Sequence, residues 1–240
     1  GDVYKRQITR PRGSTEIPSG VTLDIDGIHF GALPELTADF SHVKQLQFSN
    51  FYLQPGINGF LRHFPGLTSL KLSSTHLLEI PSSIFDLDSL THLHLGGNSI
   101  TLTAEAAGTF SEMTQLRTLD LSNNPLGEVP VFSRMNQLQQ LNLRNTRLMA
   151  WPTGVETLDD LTHLDLRENN LTALPESYFQ LPRERLRSTY VHGNPLPTAT
   201  LEAVMAYREQ LGLRFEARVH AQGAATHPAD VWLDKTQPSS

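Results

Sequence analysis

In residues 161–175, LTHLDLRENNLTALP, the leucines fall at positions 161, 164, 166, 171 and 174. That is neither the 3.6-residue stripe of an amphipathic helix nor the strict alternation of a half-buried strand. Written as a frame, L-x-x-L-x-L-x-x-N-x-L, the pattern recurs upstream at Leu138, Leu141, Leu143, Thr146 and Leu148. It recurs again at Leu116, Leu119, Leu121, Asn124 and Leu126; at Leu90, Leu93, Leu95, Asn98 and Ile100; and at Leu67, Leu70, Leu72, Thr75 and Leu77. Weaker copies run Val43, Leu46, Phe48, Phe51, Leu53, and from Gly20 through Leu23, Ile25, Ile28 and Phe30; a last one runs Leu186, Thr189, Val191, Asn194, Leu196. Successive copies start 23, 24, 23, 26, 22, 23 and 25 residues apart. Eight copies in one register mark a structural repeat, each unit too small to bury its own leucines and stacked to share one core.

The spacing predicts the shape of each unit. Frame positions 3 to 7 form a short strand, with positions 4 and 6 pointing to the core and positions 3, 5 and 7 to the opposite face. The chain then turns, and positions 9 and 11 rejoin the interior. Asparagine at position 9 can hydrogen-bond strand-end backbone groups of the neighbouring coil, and Thr75 and Thr146 can supply part of that bonding with a hydroxyl. Phe51 and Ile28 cannot, so the first two coils are expected to be less regular. The return half of a coil carries Ile80-Pro81, Val129-Pro130, Trp151-Pro152 or Leu174-Pro175, where proline starts a short convex turn. Ile84, Phe85, Phe110, Phe132 and Phe179 are expected to plug the convex side. After Leu196, residues 198–211 (TATLEAVMAYREQL) read as a helix with apolar positions 201, 204 and 205, N-capped by Thr198 or Thr200 and ended by Gly212.

The domain boundaries follow. Residues 1–19 form a ragged or non-native edge, the opening GDVYKRQ resembling a translated adapter. The repeats are expected to span 20–197, the capping helix 198–212 and a linker 213–228, with 229–240 a separate segment beyond them. Hydrophobic residues make up 38% of the 240 and charged ones 18%, and no apolar run is long enough to span a membrane. The formal charge of -6 disfavours nucleic acid as a partner, since phosphate binders concentrate basic charge on one face. With no cysteine in the chain, thiolate catalysis, disulfides and cysteine-ligated metals are excluded.

Candidate chemistry sits on the outward strand positions. Position 5 reads Asp24, Gln47, Lys71, His94, Asp120, Asn142, Asp165, Tyr190, and position 7 includes Arg144 and Arg167. With strands about 4.8 Å apart, Asp120 and Asp165 lie two coils or about 9–10 Å from one another, a separation an inverting hydrolase could use. An open sheet offers no pocket to exclude water, so a solvated binding face is the preferred reading. His92 and His94 face outward, but His163 lies roughly 14 Å away, too far to complete one metal site. No metal, cofactor or catalytic residue is expected, and the usual enzyme signatures are missing from the sequence. The protein-binding candidates are Lys71, His94, Asp120, Asn142, Arg144, Asp165, Arg167 and Tyr190. Arg144, Arg167 and Tyr190 are residue types favoured at binding hot spots. The alternative, that these residues pair among themselves and solubilise the sheet, stays open.

The frame and its apolar-proline pairs resemble bacterial leucine-rich-repeat proteins, over residues 20–211. The resemblance implies an α/β leucine-rich-repeat solenoid, a horseshoe with a concave parallel sheet, short convex turns or helices and a C-terminal capping helix. The terminal HGNPL (residues 192–196) followed by TATLEAVMAYREQLG is similar to the end of the repeats in IpaH-like effectors with a NEL ubiquitin-ligase domain. ADVWLDKTQPSS (residues 229–240) resembles the start of that domain. This implies a substrate-recognition region, inactive alone, whose parent is secreted by bacteria into the host cytoplasm and meets a ubiquitin-conjugating enzyme only through the downstream domain. That family's nucleophilic cysteine has no counterpart among these residues. The expected partner is a host or other protein on the concave face of a monomer; the alternative is a non-enzymatic interaction, adhesion or signalling scaffold.

Overall fold

Backbone pairing follows the leucine frame. In the computed structural model, which describes residues 21–26, 33, 35–54 and 56–213 and three short strands outside them, one nine-stranded sheet runs in chain order. Its strands are β1 (Ile8–Thr9), β2 (Val21–Asp26), β3 (Val43–Ser49), β4 (Ser69–Ser73), β5 (His92–His94), β6 (Thr118–Asp120), β7 (Gln140–Asn142), β8 (His163–Asp165) and β9 (Thr189–Tyr190). From β2 to β9 every pairing is parallel. Leu23, Leu46, Leu70, Leu93, Leu119, Leu141 and Leu164 pair in unbroken register, so position 4 builds a leucine column through the core. This is the open parallel sheet of a leucine-rich-repeat solenoid.

Two short antiparallel pairings flank the coils. Ile8–Thr9 pairs with β2. Phe215–Glu216 pairs antiparallel with Leu233–Asp234, joining the expected linker to the segment beyond it as β10 and β11. The remainder of 217–240 lies outside the described residues, as does Ile28.

The asparagines at position 9 act as rungs between coils. Asn98 donates through Nδ2 to Leu72 O at 2.7 Å and to Leu95 O at 2.9 Å, and accepts from Thr75 N at 2.8 Å. Asn124, Asn169 and Asn194 repeat the double donation across their own seams. Thr75 and Thr146 do less: each hydroxyl donates to its own coil's strand-end carbonyl, Leu72 O at 3.0 Å and Leu143 O at 2.8 Å. In these two coils the next residue, His76 or Arg147, takes a left-handed backbone. The second coil, lacking a polar residue here, buries Phe51 against Phe48 at 5.6 Å between ring centroids.

On the convex side the coils return through α1 (Ile57–Leu61), 3₁₀ turns at Ser82–Asp86, Val155–Thr157 and Glu176–Gln180, and the helices α2 (Ala104–Phe110) and α3 (Arg183–Arg187). Ile84, Phe110 and Phe132 are fully buried, whereas Phe85 and Phe179 are only partly so. In the seventh coil Tyr178 takes the buried place expected for Phe179, because the 3₁₀ turn directs the earlier ring inward. Helix α4 (Thr198–Gln210) follows the last coil, with Pro197 rather than a threonine at its N-cap. Its inner face is Leu201, Val204 and Arg208; Met205, expected on the stripe, is 42% exposed. Gly212, at φ 74°, ends the helix: Gly212 N bonds Glu209 O and Leu213 N bonds Arg208 O, both at 2.9 Å. That double bond is a Schellman stop, which the left-handed glycine permits without strain.

Candidate protein-interaction face

The strand register sets the outward side chains in a row. Gln47, Lys71, His94, Asp120, Asn142, Asp165 and Tyr190 are successive partners across β3 to β9, so all of the position-5 candidates share one face. Three of them have a structural duty that explains their residue type. Asp120, Asn142 and Asp165 each accept, through Oδ1, the backbone N–H two residues on: Ser122 at 2.9 Å, Arg144 at 3.0 Å and Arg167 at 3.1 Å. Such a side-chain turn closes the strand where the coil bends away from the sheet.

Charges on this face are organised in pairs. Arg144 makes a two-point contact with Glu168, Nε to Oε2 at 3.1 Å and Nη2 to Oε1 at 2.8 Å. Arg167 grips Asp165 the same way, at 2.9 and 2.6 Å, and lies 5.4 Å from the centre of the Tyr190 ring. His163 stands against that ring at 5.1 Å. Asp165 is 1% exposed, so it is a buried brace beneath Arg167 and not a free carboxylate. Burial works to raise the Asp120 carboxyl, but hydrogen bonds from the His94 and Ser122 side chains and the Ser122 N–H outweigh it and hold the group below its ordinary value. Asp120 lies 3.9 Å from His94. The two aspartates that spacing made a candidate hydrolytic pair are each engaged with their own neighbours. Burial lowers His163, with Arg167 acting in the same direction and Asp165 opposing.

Beside Tyr190 and His163 the sheet edge opens into a cleft of about 520 Å³, shared with Gln140, Thr162, Arg185 and Ser188. Among the described residues no group of three or more His, Asp or Glu could hold a metal ion, and no helix is long and apolar enough to cross a membrane. The frame alone did not single out Glu168. It occupies position 8, where the backbone is left-handed in every coil from the second to the eighth: Asn50, Ser74, Gly97, Asn123, Asn145, Glu168 and Gly193. Five of these seven are Asn or Gly, the residues that tolerate this conformation, and that enrichment was the available signal. Glu168 keeps its strained backbone while paired with Arg144. The hydrogen bond from Arg144 holds the Glu168 carboxyl below its usual value, outweighing the partial burial that works to raise it.

Comparison with known proteins agrees with this geometry. Leucine-rich-repeat family models match residues 65–126, 101–148 and 160–181. The chain is 29% identical over 208 residues to the transforming growth factor beta activator LRRC33 of Danio rerio, a match covering 77% of the chain and 27% of the relative. It is 30% identical over 168 residues to podocan-like protein 1 of Homo sapiens, covering 70% of the chain and again 27% of the relative. The chain thus spans about a quarter of the length of these relatives. The crystal structure of an internalin from Listeria monocytogenes superposes with a TM-score of 0.51 at 21% identity, covering 63% of this chain and 41% of that one, a likeness of fold alone. Repeat spacing, asparagine rungs and family matches together show a leucine-rich-repeat region folded as a solenoid, a protein-interaction module.

Proposed function

We propose that the chain works as a recognition scaffold that holds a partner protein on its concave sheet and performs no chemistry of its own. The observation that carries this reading is the ordered cluster at the C-terminal end of the face. Arg144 with Glu168 and Arg167 with Asp165 are fixed by two-point contacts, and Tyr190 packs beside them next to an open cleft. Side chains already held in one geometry lose little entropy when a partner docks, which is where binding hot spots arise. The test is affinity capture followed by titration of the purified partner. Arg144→Ala and Tyr190→Ala are each expected to weaken the complex about 10-fold, or more than 1 kcal/mol, without changing the melting temperature. Unchanged affinity in both variants would place the interface elsewhere. Arg167 is unsuitable for this purpose, because removing it leaves the buried Asp165 without its cation.

A second reading makes the module the substrate-selecting part of a bacterial NEL-type ubiquitin ligase, secreted into the host cytoplasm. It is supported by the HGNPL coil end and by α4 following it at Thr198–Gln210. Most of the resembling tail at 229–240 lies outside the described residues, and the curated relatives named above are eukaryotic. A non-catalytic interaction, adhesion or signalling scaffold accounts for the same repeats and fold at least as well. Sequencing the gene beyond Ser240 separates the two: a helical domain bearing a cysteine supports the ligase, and any other continuation removes it.

A further inference from the structure

Positive charge is unevenly compensated along the concave face. At the C-terminal end each arginine has its own carboxylate. Over the third to fifth coils the face carries Lys71, His92 and His94, Arg117 stands close enough to His92 for its charge to act on the ring, and Asp120 is the carboxylate in register with Lys71 and His94. Lys71 and Arg117 are exposed, and among the described residues neither belongs to an ion pair. The chain as a whole carries -6, and exposed acids such as Asp86, Glu105, Glu156 and Glu176 occupy the convex turns and helices.

We propose that this patch of Lys71, His92, His94 and Arg117 docks an acidic segment of the partner polypeptide, and that docking tightens under mild acidity. The inference rests on the concave-face reading and specifies the partner's chemistry. His92 pairs with Ser69 of β4 and Thr118 of β6, Lys71 and Asp120 flank His94 two residues on, and His94 and Arg117 are the charges that act on the His92 ring. Its Nδ1 lies 2.7 Å from the Thr91 hydroxyl, which also reaches Thr68 O at 3.1 Å. A hydroxyl donating to that carbonyl accepts from Nδ1–H, an arrangement the protonated ring keeps. Burial, then His94, then Arg117 hold His92 below its ordinary value, so the free protein keeps the ring neutral around neutrality. Carboxylates brought against it act with the opposite sign. The bound form then holds the proton more tightly than the free form, binding takes up protons, and affinity rises as pH falls below about 6.5. Nucleic acid fits this face less well. Its cations are interrupted by Asp120 and end at two neutralised arginine pairs, and the acidic remainder of the chain repels a polyanion.

The experiment titrates the full chain with a fluorescent Glu-Ser repeat peptide, its Gln-Ser counterpart and a single-stranded oligonucleotide, with circular dichroism confirming the fold at each pH. The Glu-Ser peptide is expected to bind about 10-fold more tightly at pH ~5.5 than at pH ~7.5, and the Gln-Ser peptide not to bind. Lys71→Glu with Arg117→Glu should abolish binding at both pH values. His92→Gln with His94→Gln should lose the gain in acid, its affinity at pH ~5.5 matching its own affinity at pH ~7.5. Binding independent of pH, an acid gain that survives the double histidine change, or tighter binding of the oligonucleotide overturns the proposal. An unbound Glu-Ser peptide, in a protein whose partner capture still fails on Tyr190→Ala, overturns the acidic-ligand inference alone. Capture indifferent to every concave substitution overturns the reading beneath it.

Discussion

At the scale of single residues, the position-9 asparagines have the most bonding concentrated in one side chain. Asn169 accepts from Thr146 N at 2.9 Å and Leu148 N at 3.0 Å, and donates to Leu143 O and Leu166 O at 2.9 and 3.0 Å. It is 5% exposed, so water cannot replace those bonds if they are lost. A buried polar group left unpaired costs about 1–3 kcal/mol, so Asn169→Ala is expected to cost about 3–4 kcal/mol, lowering the melting temperature by roughly 10 °C. Thr75→Val removes one hydroxyl donation to Leu72 O and should cost about 1 kcal/mol. Thermal melts of the two variants check the ranking; equal losses would show that the amide is not the principal tie. These asparagines were legible in the sequence because only that residue type both donates and accepts at the required reach. Asp165 was legible as an outward position but not as a buried one. Its burial depends on Arg167 folding back over it, which strand alternation does not encode.

At the scale of elements, the convex returns are held by close backbone approach. Gly154 has φ 92°, and a Cβ there would overlap the Ser133 backbone of the preceding coil. Gly154→Ala therefore combines a disfavoured backbone with a collision that no side-chain rotation relieves, and should destabilise by at least about 2 kcal/mol. Gly108, inside α2, has open space where its Cβ would go, and Gly108→Ala should stabilise by about 0.5–1 kcal/mol. Urea midpoints moving in opposite directions for the two substitutions are the expected result, and a neutral Gly154→Ala would contradict the packing. The sequence shows where these returns begin, through pairs such as Ile80-Pro81. It does not show whether a return becomes a 3₁₀ turn or a helix, or which ring faces in. That choice separates the buried Tyr178 from the partly buried Phe179. The Arg144–Glu168 pair was hidden for a related reason: its members are 24 residues apart and meet only once two coils are stacked.

At the scale of the whole molecule, an array of coils is stable by the sum of its units and the seams between them, so the weakest seam governs where it opens. The side-chain donors on the strand-end carbonyls compare the seams. Leu72 O receives Thr75 and Asn98, Leu95 O receives Asn98 and Asn124, Leu143 O receives Thr146 and Asn169, and Leu166 O receives Asn169 and Asn194. Leu121 O receives Asn124 alone among the described residues, because Thr146 in the next coil is too short to reach back across the seam. The fifth and sixth coils are instead joined by backbone bonds such as Leu121 N to Asn142 O at 3.0 Å, and by Asn145 Nδ2 to Asn123 Oδ1 at 3.0 Å. Among the seams from the third coil to the eighth, the one with the least side-chain bonding at these carbonyls among the described residues therefore lies between the polar middle of the face and its C-terminal arginine cluster. Thr146→Asn supplies the missing donor: one amide hydrogen can reach Leu121 O while the other keeps the bond to Leu143 O. It is expected to raise stability by about 1 kcal/mol and to slow amide exchange in β6 and β7 more than in β3 and β4. Hydrogen exchange read by mass spectrometry, with a urea titration beside it, checks both parts. Unchanged exchange at β6 and β7 would mean that the backbone bonds already close this seam as tightly as the asparagine rungs close the others.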